Sequence, residues 1–337
     1  MVMSSTYVAR REFRAMGTDC SILIYGSDPR VESLADLAKH RVDLLESLWS
    51  RFRPESELSR VNERAGSGEV SISAETEALI RAMRSGWEMT RGAFDPTVLT
   101  AVRANGYDRT FTDIVETDNL QTESFRADDF RADDFATGMV ARDFVSAVSE
   151  PAPGMADVTI GERVVALPGG VGLDPGAIGK GLAADIVVDE MIEAGARGVL
   201  VDLGGDIAFA GSPGEDPQWR IAIFDEGSRE DGTNRLHVVP AKVAHAGIAT
   251  STSLTRRWAR GRHHVIDPDT GLSTSEALVQ ATVAGDRAWE CEVWATAMLV
   301  RPQLLAALPE PLSSAVFSAS GIHRDDFSSH SDQGQVA

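Results

Sequence analysis

Residues 174–206 read DPGAIGKGLAADIVVDEMIEAGARGVLVDLGGD, and the order of segments in this stretch guides the interpretation of the whole chain. A turn rich in small residues is followed by apolar residues at helical spacing over 176–195, where Gly195 supplies a stop signal. The apolar run 198–203 then predicts a buried strand that ends at a Gly-Gly-Asp turn. Because strand-like residues also cover 162–174, we expect the small-residue segment to connect a strand to a helix.

Helices and strands follow one another irregularly on both sides of this stretch. The other predicted helices cover 31–48, 75–90 and about 287–300, and the other predicted strands cover 19–25, 219–224, 236–239 and 278–284. Strands at unequal spacing favour the α+β class over a regular doubly wound α/β sheet. No Pro- or Gly-rich linker divides the chain, so we expect mixed sheets with packed helices in one compact unit over residues 10–323.

Three segments are expected to lie outside these elements. Residues 51–62 read as a polar connector that contains a Pro. Residues 108–137 read as an acidic surface insertion, which carries the sequence RADDF twice in succession. Residues 324–337 have the polar composition of a disordered tail.

The composition narrows the range of partners. The 337 residues include 32 basic and 51 acidic side chains, a formal net charge of −19. Such a surface repels phosphate backbones, so we expect no nucleic-acid partner. An anionic ligand would need backbone amides, one well-placed Lys or a metal ion. The two cysteines, Cys20 and Cys291, have no metal-type spacing and are expected to be small buried apolar residues.

Membrane and export signals are missing from the sequence. No stretch approaches the ~20 consecutive apolar residues of a membrane-spanning helix. The N-terminal residues contain no continuous apolar region of the kind found in signal peptides. We therefore expect a cytoplasmic protein.

The segment Asp174–Gly181 has the features of a phosphate site. Small residues allow close backbone approach, the start of a helix offers unpaired N–H groups, and Lys180 adds a positive charge. It is not a P-loop, because Asp174 and Gly181 occupy positions where that motif needs Gly and Ser or Thr. A tight turn with a surface Lys would explain this segment alone equally well.

Three further segments carry groups that are typical of binding sites. In Gly92–Thr97, Asp95 precedes a Pro and either accepts hydrogen bonds from a ligand or only stabilises a turn. In Arg262–Gly271, His263 and His264 are adjacent, so in a strand only one of them can face a given pocket. A His there suits acid–base chemistry, although a surface His beside a turn is the alternative.

The last of the three segments lies on the final predicted helix. Glu292 and Thr296 are four residues apart and therefore share one helix face. Their oxygens could bind Mg²⁺ together with ligand phosphates. The alternative is a solvated Glu and a Thr that bonds its own backbone.

Taken in order, these segments resemble the ApbE family of FAD:protein FMN transferases. The resemblance covers the chain from about Met16 to Leu299, apart from the acidic insertion. It rests on six blocks: Met16–Thr18, Arg51–Asn62, Gly92–Thr97, Asp174–Gly181, Gly204–Asp206 and His264–Gly271. The third block, GAFDPT, is the same as the family signature. Two positions depart from the usual family pattern, with Glu292 where Asp is usual and Thr252 where Gly is frequent.

The resemblance implies an ApbE-like fold and a set of site residues. We expect eight residues to bind FAD: Met16, Phe52, Ala93, Phe94, Asp95, Asp174, Lys180 and His264. We expect the carbonyl of Ala177 and the side chains of Glu292 and Thr296 to bind Mg²⁺. His264 and Lys180 carry the expected catalytic roles.

The resemblance also implies an activity. The FMN half of FAD would be transferred to a Ser or Thr hydroxyl of an acceptor flavoprotein, with Mg²⁺ neutralising the pyrophosphate and AMP leaving. His264 would remove the hydroxyl proton. Two alternatives use the same residues. One is an FAD pyrophosphatase that releases FMN and AMP, and the other is an FAD-binding carrier without turnover, which the substitution at Glu292 would favour.

Overall fold

The computed structural model describes residues 6–111, 113–114, 150–214, 218–223, 235–239, 243–258, 262–274, 277–318 and 321–326. The doubled RADDF sequence and residues 327–337 lie outside this part of the chain. The expected surface insertion is therefore described only over its first few residues.

The helices follow the apolar periodicity of the sequence closely. They are α1 (Val31–Trp49), α2 (Glu57–Glu63), α3 (Ala74–Met89), α4 (Leu99–Ala104), α5 (Gly179–Glu193) and α6 (Ala288–Val300). Short 3-10 helices cover Pro96–Val98 and Pro302–Ala307. The predictions of α1, α3, α5 and α6 are confirmed, with α5 starting three residues later than expected.

The strands are short except in one sheet. They are β1 (Tyr7–Ala15), β2 (Thr18–Gly26), β3 (Val70–Ser71), β4 (Thr159–Ile160), β5 (Val164–Ala166), β6 (Gly198–Leu203), β7 (Ile207–Gly211), β8 (Trp219–Ile223), β9 (Arg235–Val239), β10 (Val243–Thr252), β11 (Arg257–Trp258), β12 (Arg262–His263), β13 (Ile266–Asp267), β14 (Leu272–Ser273), β15 (Gln280–Gly285), β16 (Ser313–Ser318) and β17 (Gly321–Asp325). The strand predicted over 198–203 matches β6 at both ends.

An antiparallel sheet in the order β1-β2-β6-β7-β10-β15-β16-β17 forms the centre of the molecule. Alternate residues of its strands point to opposite faces. Ile22 and Val201 pack in a core cluster with α1 and α5, whereas Leu200 and Phe209 pack against Ile221 of β8 on the other face. Each such side chain contributes about 1.5–3 kcal/mol through burial. This combination of helices with an antiparallel sheet confirms the α+β class.

Two local predictions are wrong. Only Val164–Ala166 is a strand within residues 162–174, because Pro168 cannot donate to a ladder and Gly170 adopts a positive φ of 84°. Asp174 therefore lies in an irregular segment. Residues 51–62 are not connector throughout, because Ser56 accepts a hydrogen bond from the amide of Ser59 and starts α2.

The ends of the described chain bear on two further expectations. Strand β17 ends at Asp325, two residues inside the segment 324–337 that was expected to be a tail. None of the helices in the described ranges has the length and apolar character needed to cross a membrane.

Cys20 and Cys291 are both buried and free, as predicted.

Candidate active site

Two hairpin turns meet at one end of the large sheet. Met16 and Gly17 connect β1 to β2 with φ values of 51° and 73°, the positive pair that a two-residue type I′ turn requires. Gly204 and Gly205 connect β6 to β7 with φ values of 72° and 92°. A Cβ on Gly204 would lie 2.2 Å from Oγ1 of Thr18, so the two turns pack directly against each other.

The chain leaving α3 forms a second wall. Asp95 accepts hydrogen bonds from the amide and the hydroxyl of Thr97, at 2.8 and 2.6 Å. The amide of Asp174 donates to the carbonyl of Pro96 at 2.7 Å, which ties this turn to the start of the small-residue segment. Asp95 is 8% exposed, and burial raises the pKa of its carboxyl. The turn-stabilising interpretation of Asp95 is therefore correct, and it does not exclude a role in ligand binding.

Arg51, which follows α1, contacts residues of the same wall. Its Nε lies 3.2 Å from Oδ2 of Asp174, and its Nη1 donates to the carbonyl of Tyr107 at 2.9 Å. Its guanidinium carbon lies 4.1 Å from the ring centre of Phe52 and 4.6 Å from that of Tyr107. The side chain is only 5% exposed. No role for Arg51 could be predicted from the sequence, because no local pattern distinguishes a buried Arg from a solvated one.

Helices α5 and α6 touch at the motif Gly-Lys-Gly. A Cβ on Gly181 would lie 2.7 Å from the carbonyl carbon of Ala288 and 2.8 Å from Cα of Trp289. One turn later, the carboxylate of Asp185 accepts hydrogen bonds from the amides of Ala288 and Trp289, each at 3.0 Å. It thus caps α6, whose own N-cap residue Arg287 makes no side-chain cap. The two helices are therefore held in a fixed relation.

Gly181→Ala should destabilise the protein by about 1–3 kcal/mol, because the new methyl group meets backbone atoms that cannot rotate away. Urea denaturation of the two proteins measures the difference. Gly169→Ala is the control, since its Cβ would have Cα of Gly66 as nearest neighbour at 3.9 Å. An unchanged denaturation midpoint for Gly181→Ala would contradict this account of the contact.

Lys180 joins the two helices to the Gly-Gly-Asp turn. Its Nζ forms ion pairs with Oδ2 of Asp206 and, at 2.5 Å, with Oε1 of Glu292. Oε2 of Glu292 accepts a hydrogen bond from the amide of Gly181 at 2.8 Å. Both carboxylate side chains are 2% exposed. The alternatives of a surface Lys180 and a solvated Glu292 are therefore wrong.

The charges of this cluster depend on one another. Burial, and then the charge of Asp206, raises the pKa of Glu292. Burial alone would lower the pKa of Lys180, but the charges of Asp206 and Glu292 outweigh it and raise that pKa. Lys180 is thus a permanent cation at neutral pH.

Thr296 lies one turn after Glu292 and faces strand β10. Its Oγ1 lies 2.8 Å from Oγ of Ser251, so the hydroxyl of Thr296 forms a hydrogen bond with that side chain and not with the backbone of its own helix. The neighbouring Thr252 is not among the described residues with positive φ, and its hydroxyl donates to the carbonyl of Val279 at 2.9 Å. Thr252 therefore needs none of the backbone freedom that Gly would supply at this position.

His264 follows β12, and its Nδ1 is buried without a hydrogen-bond partner. Burial, with the nearby charges of Arg256, His263 and Lys180, lowers the pKa of His264 to about 3. Its imidazole is therefore neutral at physiological pH. In the unfolded chain the pKa returns to about 6.5, so this group removes stability as the pH falls below that value.

His264 should show no protonation step between pH 5 and 8 in the ligand-free protein. Its resonance can be assigned among the seven His residues by its absence from the NMR spectrum of His264→Gln. The titration is then followed through the ring carbon shifts. A midpoint near pH 6.5 would show that the imidazole is solvated and would contradict the burial described here.

All these segments border one cavity of about 940 Å³, at the upper end of the range for ligand pockets. Each of the eleven site residues expected from the sequence lies in its wall: Met16, Phe52, Ala93, Phe94, Asp95, Asp174, Ala177, Lys180, His264, Glu292 and Thr296. Of the adjacent pair, His264 lines the cavity, whereas His263 is 1% exposed and its amide donates to Ser273 Oγ at 3.1 Å. The structure thus brings the expected residues together.

A model of the ApbE family matches residues 16–311. The chain belongs to the ApbE family. This confirms the assignment that the six sequence blocks predicted.

Individual ApbE relatives agree with this assignment. A protein of Klebsiella pneumoniae (strain 342) named FAD:protein FMN transferase is 26% identical over 85% of this chain and 77% of its own. A protein of the same name from Treponema pallidum (strain Nichols) is 27% identical over 85% of this chain and 76% of its own.

Two solved ApbE structures share the fold. The ApbE protein of Thermotoga maritima superposes with a TM-score of 0.75 at 20% identity, covering 95% of this chain and 97% of its own. The flavin transferase ApbE from Vibrio cholerae gives 0.70 at 21% identity, covering 94% and 96%. The predicted ApbE-like fold is therefore confirmed.

The donor set expected to hold Mg²⁺ in ApbE proteins fits the groups present in this chain. Ala177, Glu292 and Thr296 offer a carbonyl, a carboxylate and a hydroxyl, all of them the hard oxygen ligands that Mg²⁺ prefers. The ammonium of Lys180 beside Glu292 indicates that a positive charge is favourable there. In the described ranges, no three His, Cys, Asp or Glu side chains cluster as a metal site.

Asp206 is a second residue whose importance the sequence did not reveal. The motif Gly204–Asp206 was recognised, but only its glycines had an evident purpose as turn residues. The structure adds that Asp206 is 1% exposed and pairs with Lys180. An Asp after two glycines reads as a turn residue, so the sequence carried no signal for this contact.

Proposed function

We propose that the protein transfers the FMN half of FAD to a Ser or Thr hydroxyl of an acceptor flavoprotein, with Mg²⁺ and with release of AMP. The observation that carries this proposal is the shared cavity. Residues expected to contact FAD or Mg²⁺ come from five of the six sequence blocks and from the helix that carries Glu292 and Thr296, and all of them border the same space. Its volume of about 940 Å³ is suited to an elongated dinucleotide.

Different parts of the cavity wall are suited to different parts of FAD. Phe52 and Phe94 offer aromatic surface for flat rings, and the side chain of Arg51 keeps Phe52 in place. The start of α5, with Gly179 and Lys180 in the wall, presents a helix N-terminus and an ammonium group to the pyrophosphate. These local groups bind an anion in spite of the net charge of −19.

His264 is the group suited to take the proton from the incoming hydroxyl. Because its pKa is lowered to about 3, it is unprotonated and able to accept a proton at neutral pH. The negative pyrophosphate would raise this pKa when FAD binds, since an opposite charge favours the imidazolium form. Mg²⁺, held by Ala177, Glu292 and Thr296, would supply neutralisation of the phosphate charge.

The proposal is tested by incubating the protein with FAD, Mg²⁺ and purified flavin-carrying subunits. We expect flavin fluorescence that stays with the acceptor through denaturing electrophoresis, and an equal amount of AMP. Both should disappear with EDTA and with an acceptor whose target hydroxyl residue is replaced by Ala. The cytoplasmic location expected from the sequence stays a prediction, to be checked by cell fractionation.

Other outcomes of this experiment distinguish the alternatives. Release of AMP and free FMN without an acceptor would identify a pyrophosphatase. Intact bound FAD after long incubation with several acceptors would identify a carrier. Either result would contradict the transferase.

A further inference from the structure

The ammonium of Lys180 already occupies a cation position next to the carboxylate expected to bind metal. It is 2.5 Å from Oε1 of Glu292 and also pairs with Oδ2 of Asp206. The Lys180 side chain is 18% exposed and the two carboxylates are 2% exposed. Two buried carboxylates without a cation would be strongly unfavourable, because burial removes the water that would otherwise solvate their charges.

Asp206 differs from Glu292 in its position. Glu292 and Lys180 lie in the wall of the cavity, whereas Asp206 lies behind them and reaches the site through Lys180. Its Oδ1 is buried and has no hydrogen-bond partner. A buried carboxylate with one unsatisfied oxygen is costly, so stability alone does not account for Asp206.

We propose that Asp206 is a positioning residue that holds Lys180 as an internal counter-cation, so that Lys180 and a divalent metal compete for Glu292 until FAD binds. This inference rests on the proposed function of the site. When the pyrophosphate of FAD enters, it offers Lys180 a new anionic partner. Lys180 then leaves Glu292, and Glu292 becomes free to hold the metal.

The order of binding follows from these charges. In the ligand-free protein Lys180 shields Glu292, so a divalent ion must displace an ammonium group to bind. While it is displaced, Lys180 keeps Asp206 as a partner, which makes the exchange feasible at low cost. FAD should therefore bind first, and the metal second.

The first test measures Mn²⁺ binding to the FAD-free protein by electron paramagnetic resonance of free Mn²⁺. Lys180→Met removes the competing charge while keeping an unbranched side chain that is one atom shorter, so Mn²⁺ should bind about tenfold more tightly or better. Lys39→Met is the control, because it removes an ammonium group from an exposed ion pair, with Asp43 on α1 at 2.7 Å, that lies outside the cavity. Unchanged or weaker Mn²⁺ binding by Lys180→Met would overturn the proposal.

The second test does not depend on the stability of Lys180→Met. Asp206→Asn should weaken Mn²⁺ binding to the FAD-free protein several-fold, because Lys180 has no partner left when the metal takes Glu292. The same variant should bind FAD more tightly without metal, measured by quenching of flavin fluorescence, because Lys180 is released towards the phosphates. A purely structural role of Asp206 would weaken both, and that result would overturn the proposal. Asp43→Asn is the matched control.

Failure of this inference can be told apart from failure of the proposed function. Both tests read binding of Mn²⁺ or FAD, not transfer of FMN. A protein that transfers FMN normally but shows no change of Mn²⁺ affinity in Lys180→Met would disprove only the competition. A protein that transfers no FMN but shows the predicted changes would disprove only the activity.

Discussion

Glu292→Gln should lower the rate of FMN transfer by about 100-fold or more while leaving the affinity for FAD within a few-fold of the original. Gln keeps the shape of the side chain and an oxygen for the amide of Gly181, which Glu292 binds at 2.8 Å. It loses the negative charge, and neutralisation of phosphate charge contributes several kcal/mol to phosphoryl transfer. The measurement is the rate of AMP release at saturating FAD, together with the dissociation constant of FAD.

Glu292→Asp is the informative control. It keeps the charge, and Asp is the residue that the ApbE family usually has at this position. We expect its transfer rate at high Mg²⁺ to stay within about tenfold of the original rate. The carboxylate ligand is still present, although octahedral coordination tolerates its shift by one methylene poorly. Equal transfer rates for Glu292→Gln and the unmodified protein at low Mg²⁺ would show that Glu292 is not a metal ligand.

His264→Gln should lower the transfer rate by about 100- to 10,000-fold, the range found for removal of a general base. The neutral imidazole has a buried Nδ1 without a partner, so Gln can replace the ring without breaking a hydrogen bond of that atom. The fold and the affinity for FAD should therefore persist. Stopped assays of acceptor labelling measure the rate, and fluorescence titration measures FAD binding.

The exposed His40 on α1 provides the control for this variant. His40→Gln lies outside the cavity and should transfer FMN at the original rate. A His264→Gln protein whose kcat is unchanged and whose KM for FAD is raised would show that His264 only binds FAD. That result would contradict its role as a base.

Long periodic elements could be predicted from the sequence because their burial pattern is regular. Helix α1 and strand β6 were predicted within one residue of their ends, because α1 repeats apolar residues with the helical period and β6 is a short apolar run that ends at two glycines. Helix α2 was missed because seven residues hold too few periods, although Ser56 is a typical N-cap. The strands expected over 162–174 were overestimated because apolar residues also line irregular segments when these are buried.

The expected site residues could be placed because each belongs to a short motif with a recognisable order. The residues that the motifs did not reveal, Arg51 and Asp206, act through long-range contacts. Arg51 meets Asp174, and Asp206 meets Lys180, each across a large separation in sequence. Such partners depend on how the sheet and helices pack, and no local pattern encodes that packing.

The contact between α5 and α6 has a consequence for how such proteins diversify. Gly181 and Asp185 fasten the two helices, so Lys180 and Glu292 belong to one rigid part of the molecule. Other parts of the cavity wall are irregular segments, and irregular segments tolerate sequence change better than packed helices do. Substitutions in these segments can therefore alter the fit of a ligand while Lys180 and Glu292 keep their position relative to each other.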